Sequence, residues 1–196
     1  SIRMRRDRGI AVRRRQAFIL IAAGSGLGLV LYLLAAQVYF RAGFPLDDAW
    51  IHQTYARSLA LRGEWSFSPG EVSGGSTAPL WSALLSIGYV LGLPPLIWSG
   101  ILGWACLVAT GWLIYLSLER ESGILPAKTV LILTAGTVLE WHLLWSAASG
   151  METLLFGVLC LAVLLALRRP DVKWLALGGL IGVAVWVRPD AITLLG

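Results

Sequence analysis

Asp47 and Asp48 stand side by side at the head of a mixed polar and aromatic stretch, and Glu71, Glu152 and Asp190 follow along a chain that is otherwise oily. A carboxylate beside apolar sequence is costly unless it is solvated, paired or metal-bound, so each is a functional candidate. The plain alternative is a solvated loop acid, which suits Glu64 most readily. One reaction uses such a set naturally: attack of a sugar hydroxyl on a lipid-phosphate sugar. A carboxylate takes the hydroxyl proton as general base, and the departing phosphate needs positive charge rather than a proton donor. Arg188 would supply that charge, or a hard divalent ion, Mg or Mn, held by Asp48 and Glu152. The acid spacing is not specific for a metal.

Other side chains have two readings each. His52 lies one helical turn after Asp48 and can face it, although a lone histidine on an interfacial helix is more often solvated. Glu140 and His142, near the outer end of their helix, are spaced to line a cavity or to pair. Thr77 is a donor contact or a helix cap before Pro79. Arg188 binds a phosphate, pairs with Asp190 or snorkels to headgroups.

The element that must position these groups is Pro45–Trp81, which holds four of the eleven carboxylates. Asp47 to Leu61 reads as an interfacial helix with Trp50, Ile51, Tyr55 and Leu59 on one stripe and His52, Gln53 and Arg57 opposite. One of the two Asp residues would serve as its cap; two exceed what a cap needs. Glu64 to Thr77, rich in Gly, Ser and Pro, reads as a loop that moves or wraps ligand. Leu80 to Leu93 is apolar but only 14 residues long, short for a crossing.

With 57% hydrophobic and 14% charged residues, the chain lies outside the soluble globular range and reads as a polytopic, all-α membrane protein. The net charge of +5 does not indicate nucleic acid, because seven of the sixteen Lys and Arg lie in the first fifteen residues. A basic tail, 1–15, before the uncharged run Gln16–Phe40 signals cytoplasmic retention and an anionic lipid surface. The run is longer than the apolar core of a cleaved leader, and Gly24 to Gly28 has small-residue spacing for close helix packing. Cys106 and Cys160 sit in apolar runs as small hydrophobes.

Charge then sets a topology. With Leu80–Leu93 on the surface, Leu96–Leu118 runs inward, Pro126–Trp145 outward, Thr153–Leu167 inward and Trp174–Val187 outward. This puts Arg120, Lys128, Arg168, Arg169 and Lys173 on the cytoplasmic side, as the positive-inside tendency prefers. About five spanning helices follow, with outer loops over 41–95 and 146–152, and Ser146–Glu152 and Arg188–Asp190 share the outer face with Asp47. Several tryptophans near the same boundary fit an aromatic belt before they fit sugar stacking.

The series Asp47-Asp48-Ala49-Trp50-Ile51, Pro69-Gly70-Glu71, Ser76-Thr77-Ala78-Pro79-Leu80-Trp81, Ser149-Gly150-Met151-Glu152-Thr153 and Arg188-Pro189-Asp190 resembles the N-terminal part of bacterial GT-C membrane glycosyltransferases. These are relatives of the protein O-mannosyltransferases, the lipid A aminoarabinose transferases and the mycobacterial arabinofuranosyltransferases. The resemblance implies that 16–196 is the N-terminal portion of a transmembrane catalytic domain, with the C-terminal remainder outside this chain. It implies a polyprenyl-phosphate sugar donor, inverting transfer of a hexosyl or pentosyl group on the extracytoplasmic side, and a glycan, lipid or protein acceptor. Asp47 matches the family's catalytic carboxylate, Asp48 its acidic neighbour and Glu152 a second outer-loop acid. Protein O-mannosyltransferases carry Asp-Glu where this chain has Asp47-Asp48, so the bacterial branch is the nearer likeness.

Asp47, Asp48 and Glu152 are thus the expected catalytic set, with Glu71, Thr77, Arg188, Asp190 and His52 as substrate contacts. The alternative is a transporter or flippase with an outer acidic site, which would keep polar groups at broken helices near the bilayer midplane rather than in loops between clean spans. A noncatalytic assembly subunit is a third reading, in which replacing the acids changes no activity.

Overall fold

The computed structural model describes residues 2–39, 41, 43–120 and 125–195, with side chains from residue 14 onward. Eight α-helices follow in order: α1 Ile2–Tyr39, α2 Asp47–Arg62, α3 Pro79–Val90, α4 Pro95–Arg120, α5 Ala127–Val138, α6 Trp141–Ala148, α7 Thr153–Leu167 and α8 Trp174–Val187. A 3-10 turn covers Pro189–Leu195. Among the described residues there is no strand, only an isolated bridge between Ser66 and Val72.

Two helical segments, Arg14–Tyr39 and α4, each 26 residues long, are long and apolar enough to cross a membrane. The α5–α6 pair makes a third if it is counted as one bent span. The helices α7 and α8 are apolar but have 15 and 14 residues, short of the roughly 20 that a perpendicular crossing needs.

The uninterrupted outward helix expected over Pro126–Trp145 is instead broken by 51° between α5 and α6. Glu140 causes the restart: its side chain accepts the N–H groups of His142 and Leu143, which satisfies donors that a new helix would leave bare. The break lies against Gly28, where an added Cβ would collide with Leu139 and approach Leu144. Gly28 is close to halfway along the α1 span, so one of the expected clean spans carries an ionisable group near its middle. Gly26 gives room to Trp104, whereas Gly24, the other half of the expected small-residue pair, meets nothing.

Contacts along the rods fix their relative directions. Arg14 pairs with Glu119 at 2.8 Å, Ala17 and Ile21 pack with Tyr115 and Val130, and Leu29 packs with Leu107 and Leu144. Helix α4 therefore runs antiparallel to α1, and α5–α6 runs beside α1. The C-terminal halves of α4 and α7 meet the start of α8 around one cavity, so α7 is parallel to α4 and α8 returns. One end of the bundle collects Arg14, Arg120, Arg169 and Lys173; the other carries α2, α3 and the loop before α7.

At that second end α2 and α3 pack on each other more extensively than any other pair of helices. Helix α2 stops at Gly63, whose φ of +69° closes the last turn, and α3 starts with Pro79 at its first position. The N-cap of α3 is Ala78 and no side chain caps it, so Thr77 is not the cap. Trp98 covers Gly88 and donates its indole N–H to the Leu84 carbonyl, which folds α3 onto the start of α4.

Candidate functional site

Helix α2 buries His52 and Gln53 from the side expected to be polar together with Tyr55 from the expected apolar stripe, while Arg57 stays exposed. His52, Gln53, Tyr55, Ala56 and Ser58 are inside, whereas Trp50 is half exposed and stacks edge-on with Phe44 at 5.0 Å. The arrangement holds because the buried polar groups of α2 meet partners. Gln53 donates to Ser99 at 2.9 Å and accepts from the Tyr89 hydroxyl at 3.0 Å. Ser58 bonds Ser66 at 2.6 Å, and the Tyr55 hydroxyl bonds Ser73 and accepts the Gly75 N–H. Partnered polar groups tolerate burial, and Trp50 left outside suits a helix at a lipid boundary.

His52 is 2% exposed, not solvated, and reaches across to Glu152, which is 3% exposed. Its Nε2 lies 3.2 Å from Oε2 of Glu152. That is ion-pair reach when the imidazole is protonated, but the N–H is not aligned on the oxygen, so Oε2 has no formal hydrogen bond. On the other ring edge Nδ1 lies 3.4 Å from the Ser82 hydroxyl, which bonds Ser76 at 2.9 Å. Arg188 approaches Oε1 of Glu152 at 3.8 Å, covers the Phe156 ring and donates to Asp190 at 3.2 Å. Burial pushes the Glu152 carboxyl up, but His52, the residue's own backbone N–H and then Arg188 outweigh it and hold the group below the ordinary carboxylate range.

The loop that presents Glu152 is locked by backbone chemistry. Gly150 adopts φ +77°, a conformation that other residues rarely accept, and the Phe44 ring occupies the space where its Cβ would be. The Gly150 carbonyl accepts the buried Trp81 indole N–H at 2.8 Å. Residues just before α2, on α2, on α3 and before α7 thus meet at one point.

The other expected residues stand around this knot. Asp47 and Asp48 are exposed in the first turn of α2, and Asp47 accepts the Asp48 N–H at 3.0 Å. Asp48 is one turn from His52. Among the described residues its carboxylate has no partner. Asp190 is exposed and held by Arg188. Glu71 and Thr77 are exposed and touch none of the network. Glu64 is structural: the Gly70 N–H, with Arg62 and Ser66, holds it below its ordinary pKa and ties the loop shut. With Tyr55 gripping Ser73 and Gly75, the expected mobile wrap is anchored along its length.

Sequence reasoning missed Ser82, Ser76 and the Trp81–Gly150 bond. The available signal was serine at positions 82 and 86 of a short apolar helix, four residues apart and so on one face. Glu140 and His142 do pair, Oε1 to Nδ1 at 2.5 Å. Among the described residues no three His, Cys, Asp or Glu gather as a metal donor set; Glu152 is engaged by His52 and Arg188, and Asp48 stands apart. Comparison with family models, with curated proteins and with solved structures finds no match to the chain.

Proposed function

We propose that this chain carries the catalytic end of a GT-C-type membrane glycosyltransferase, moving a sugar from a polyprenyl-phosphate donor to an extracytoplasmic glycan, lipid or protein acceptor. In this reading α1, α4, the α5–α6 pair, α7 and α8 make five passes, α2 and α3 lie on the outer surface, and the N-terminus is cytoplasmic. The observation that supports it is the buried His52–Glu152 contact, which joins the helix bearing Asp47 and Asp48 to the loop before α7, with Arg188 at the same carboxylate. A buried carboxylate with an unbonded oxygen is expensive in a bundle that only has to pack.

The step follows from the groups present. The acceptor hydroxyl oxygen attacks the anomeric carbon of the donor, and the bond from that carbon to the phosphate oxygen breaks. The phosphate leaves with the electron pair, and Asp47 takes the hydroxyl proton; attack opposite the leaving group inverts the centre. Arg188, more than a third exposed, offers the cation for the departing phosphate, while Glu152 and His52 hold it and the α2 helix in register. Asp48, Glu71, Thr77 and Asp190 border the donor.

The test is full-length protein in membranes with a panel of labelled polyprenyl-phosphate sugars, wild type against Asp47→Asn. Loss of transfer in a folded variant supports the enzyme, and full retention removes Asp47 from the catalytic role. A transporter is the second reading, favoured by one observation: the Glu140–His142 pair at the helix break near the middle of the α1 span. Labelled solute crossing vesicles, with no donor turned over and with the flux lost in Glu140→Gln, would replace the first reading by the second.

A further inference from the structure

At the end of the bundle remote from Glu152, the C-terminal halves of α4 and α7 and the start of α8 line a half-open cavity of about 260 Å³. Its walls are apolar, built from Leu113, Leu116, Leu165, Leu177 and Leu180. Its rim is charged: Arg120, Arg169 and Lys173 line it with a single acid, Asp171. Among the described residues none of these four has an ion-pair partner. The nearby Arg14 is paired with Glu119.

An apolar slot rimmed by three cations, at the end of membrane-length α4, calls for a ligand with an acyl chain and a negative head. We propose that this cavity binds an anionic phospholipid of the leaflet that faces the basic end of the bundle. One stretch of acyl chain fills the slot between α4, α7 and α8, and the phosphate takes charge-assisted hydrogen bonds from Arg120, Arg169 and Lys173. Asp171 disfavours a head with two negative charges and leaves the singly charged diester as the best fit. The site is independent of the glycosyl-transfer reading, because it needs only that the bundle sits in a membrane.

The test uses delipidated full-length protein in a neutral detergent and follows thermal unfolding with added dioleoyl phosphatidylglycerol, dioleoyl phosphatidylcholine or glycerol 3-phosphate. Phosphatidylglycerol is expected to raise Tm by about 5 °C at saturation, with little shift from the other two. The triple variant Arg120→Gln, Arg169→Gln and Lys173→Gln should lose at least half of that shift, whereas Arg168→Gln, which does not line the cavity, should keep it. Ala162→Phe fills the slot without touching the charges and should also weaken the shift. Equal shifts from phosphatidylcholine, a full shift from glycerol 3-phosphate, equal losses in Arg168→Gln and the triple variant, or no shift at all would each overturn the site.

Discussion

Glu152 and Asp47 sit in opposite environments, one buried and paired, the other exposed at a helix start. That contrast divides their roles and makes them separable by substitution. Asp47→Asn keeps size and shape at an exposed position, so Tm should hold while transfer falls by roughly 10² to 10⁴-fold, the usual worth of a general base. His52→Ala leaves Glu152 buried beside a void and should cost about 3–5 kcal/mol in stability. The double variant with Glu152→Ala should lose less than the sum of the singles, because each removes the same contact. Acid titration gives a second handle. A carboxyl held below its unfolded value of 4.5 contributes stability that is present above that pH and is lost as pH falls through the lowered folded value. Melts from pH 6 downward should therefore show an acid-side loss that is smaller in Glu152→Gln; identical slopes would mean that Glu152 does not carry it.

At the scale of elements, the bundle is held by close approaches that leave no room for a side chain. A Cβ on Gly103 would strike the backbone carbonyl of Ala147, so α4 and α6 touch through their main chains, whereas Gly100, one turn earlier on α4, faces open space. Gly103→Ala should destabilise by about 1–3 kcal/mol and Gly100→Ala by less than either bound or not at all, read from melts of the two variants side by side. Gly150 joins element to site. Gly150→Ala meets both a left-handed backbone and the Phe44 ring, so it should shift Glu152 off His52 and reduce transfer although it removes no reacting group. Unchanged activity in that variant would separate the loop from the site.

For the whole molecule, the two ends of the bundle differ in chemistry: a cluster of cations at one, the polar knot with α2 and α3 at the other. The positive-inside tendency gives this asymmetry a direction. Single cysteines in a background free of Cys106 and Cys160 test it. Ser68→Cys, exposed in the loop between α2 and α3, should react with an impermeant maleimide from outside intact cells, and Asp171→Cys only after permeabilisation. Labelling of both from the same side would refute the alternating passes.

The sequence alone determined that this is a helical protein with membrane-length segments, because an uncharged run such as Gln16–Phe40 has few other stable states and hydropathy is a local property. It also located the acids and the start of the helix at Pro79, and it offered pairing as one of two readings of Glu140 and His142, all written in residues a few positions apart. Tertiary structure decided which face of α2 turns inward. Of the stripe Trp50, Ile51, Tyr55 and Leu59, Tyr55 goes inside and Trp50 stays out, and His52 and Gln53 are buried because their partners lie 100 and 46 positions away, at Glu152 and Ser99. It decided likewise that Pro126–Trp145 bends, since room for the break at Leu139 comes from Gly28 on another helix. Burial of a polar group is favourable only when its partner arrives, and sequence spacing carries no record of a partner that distant.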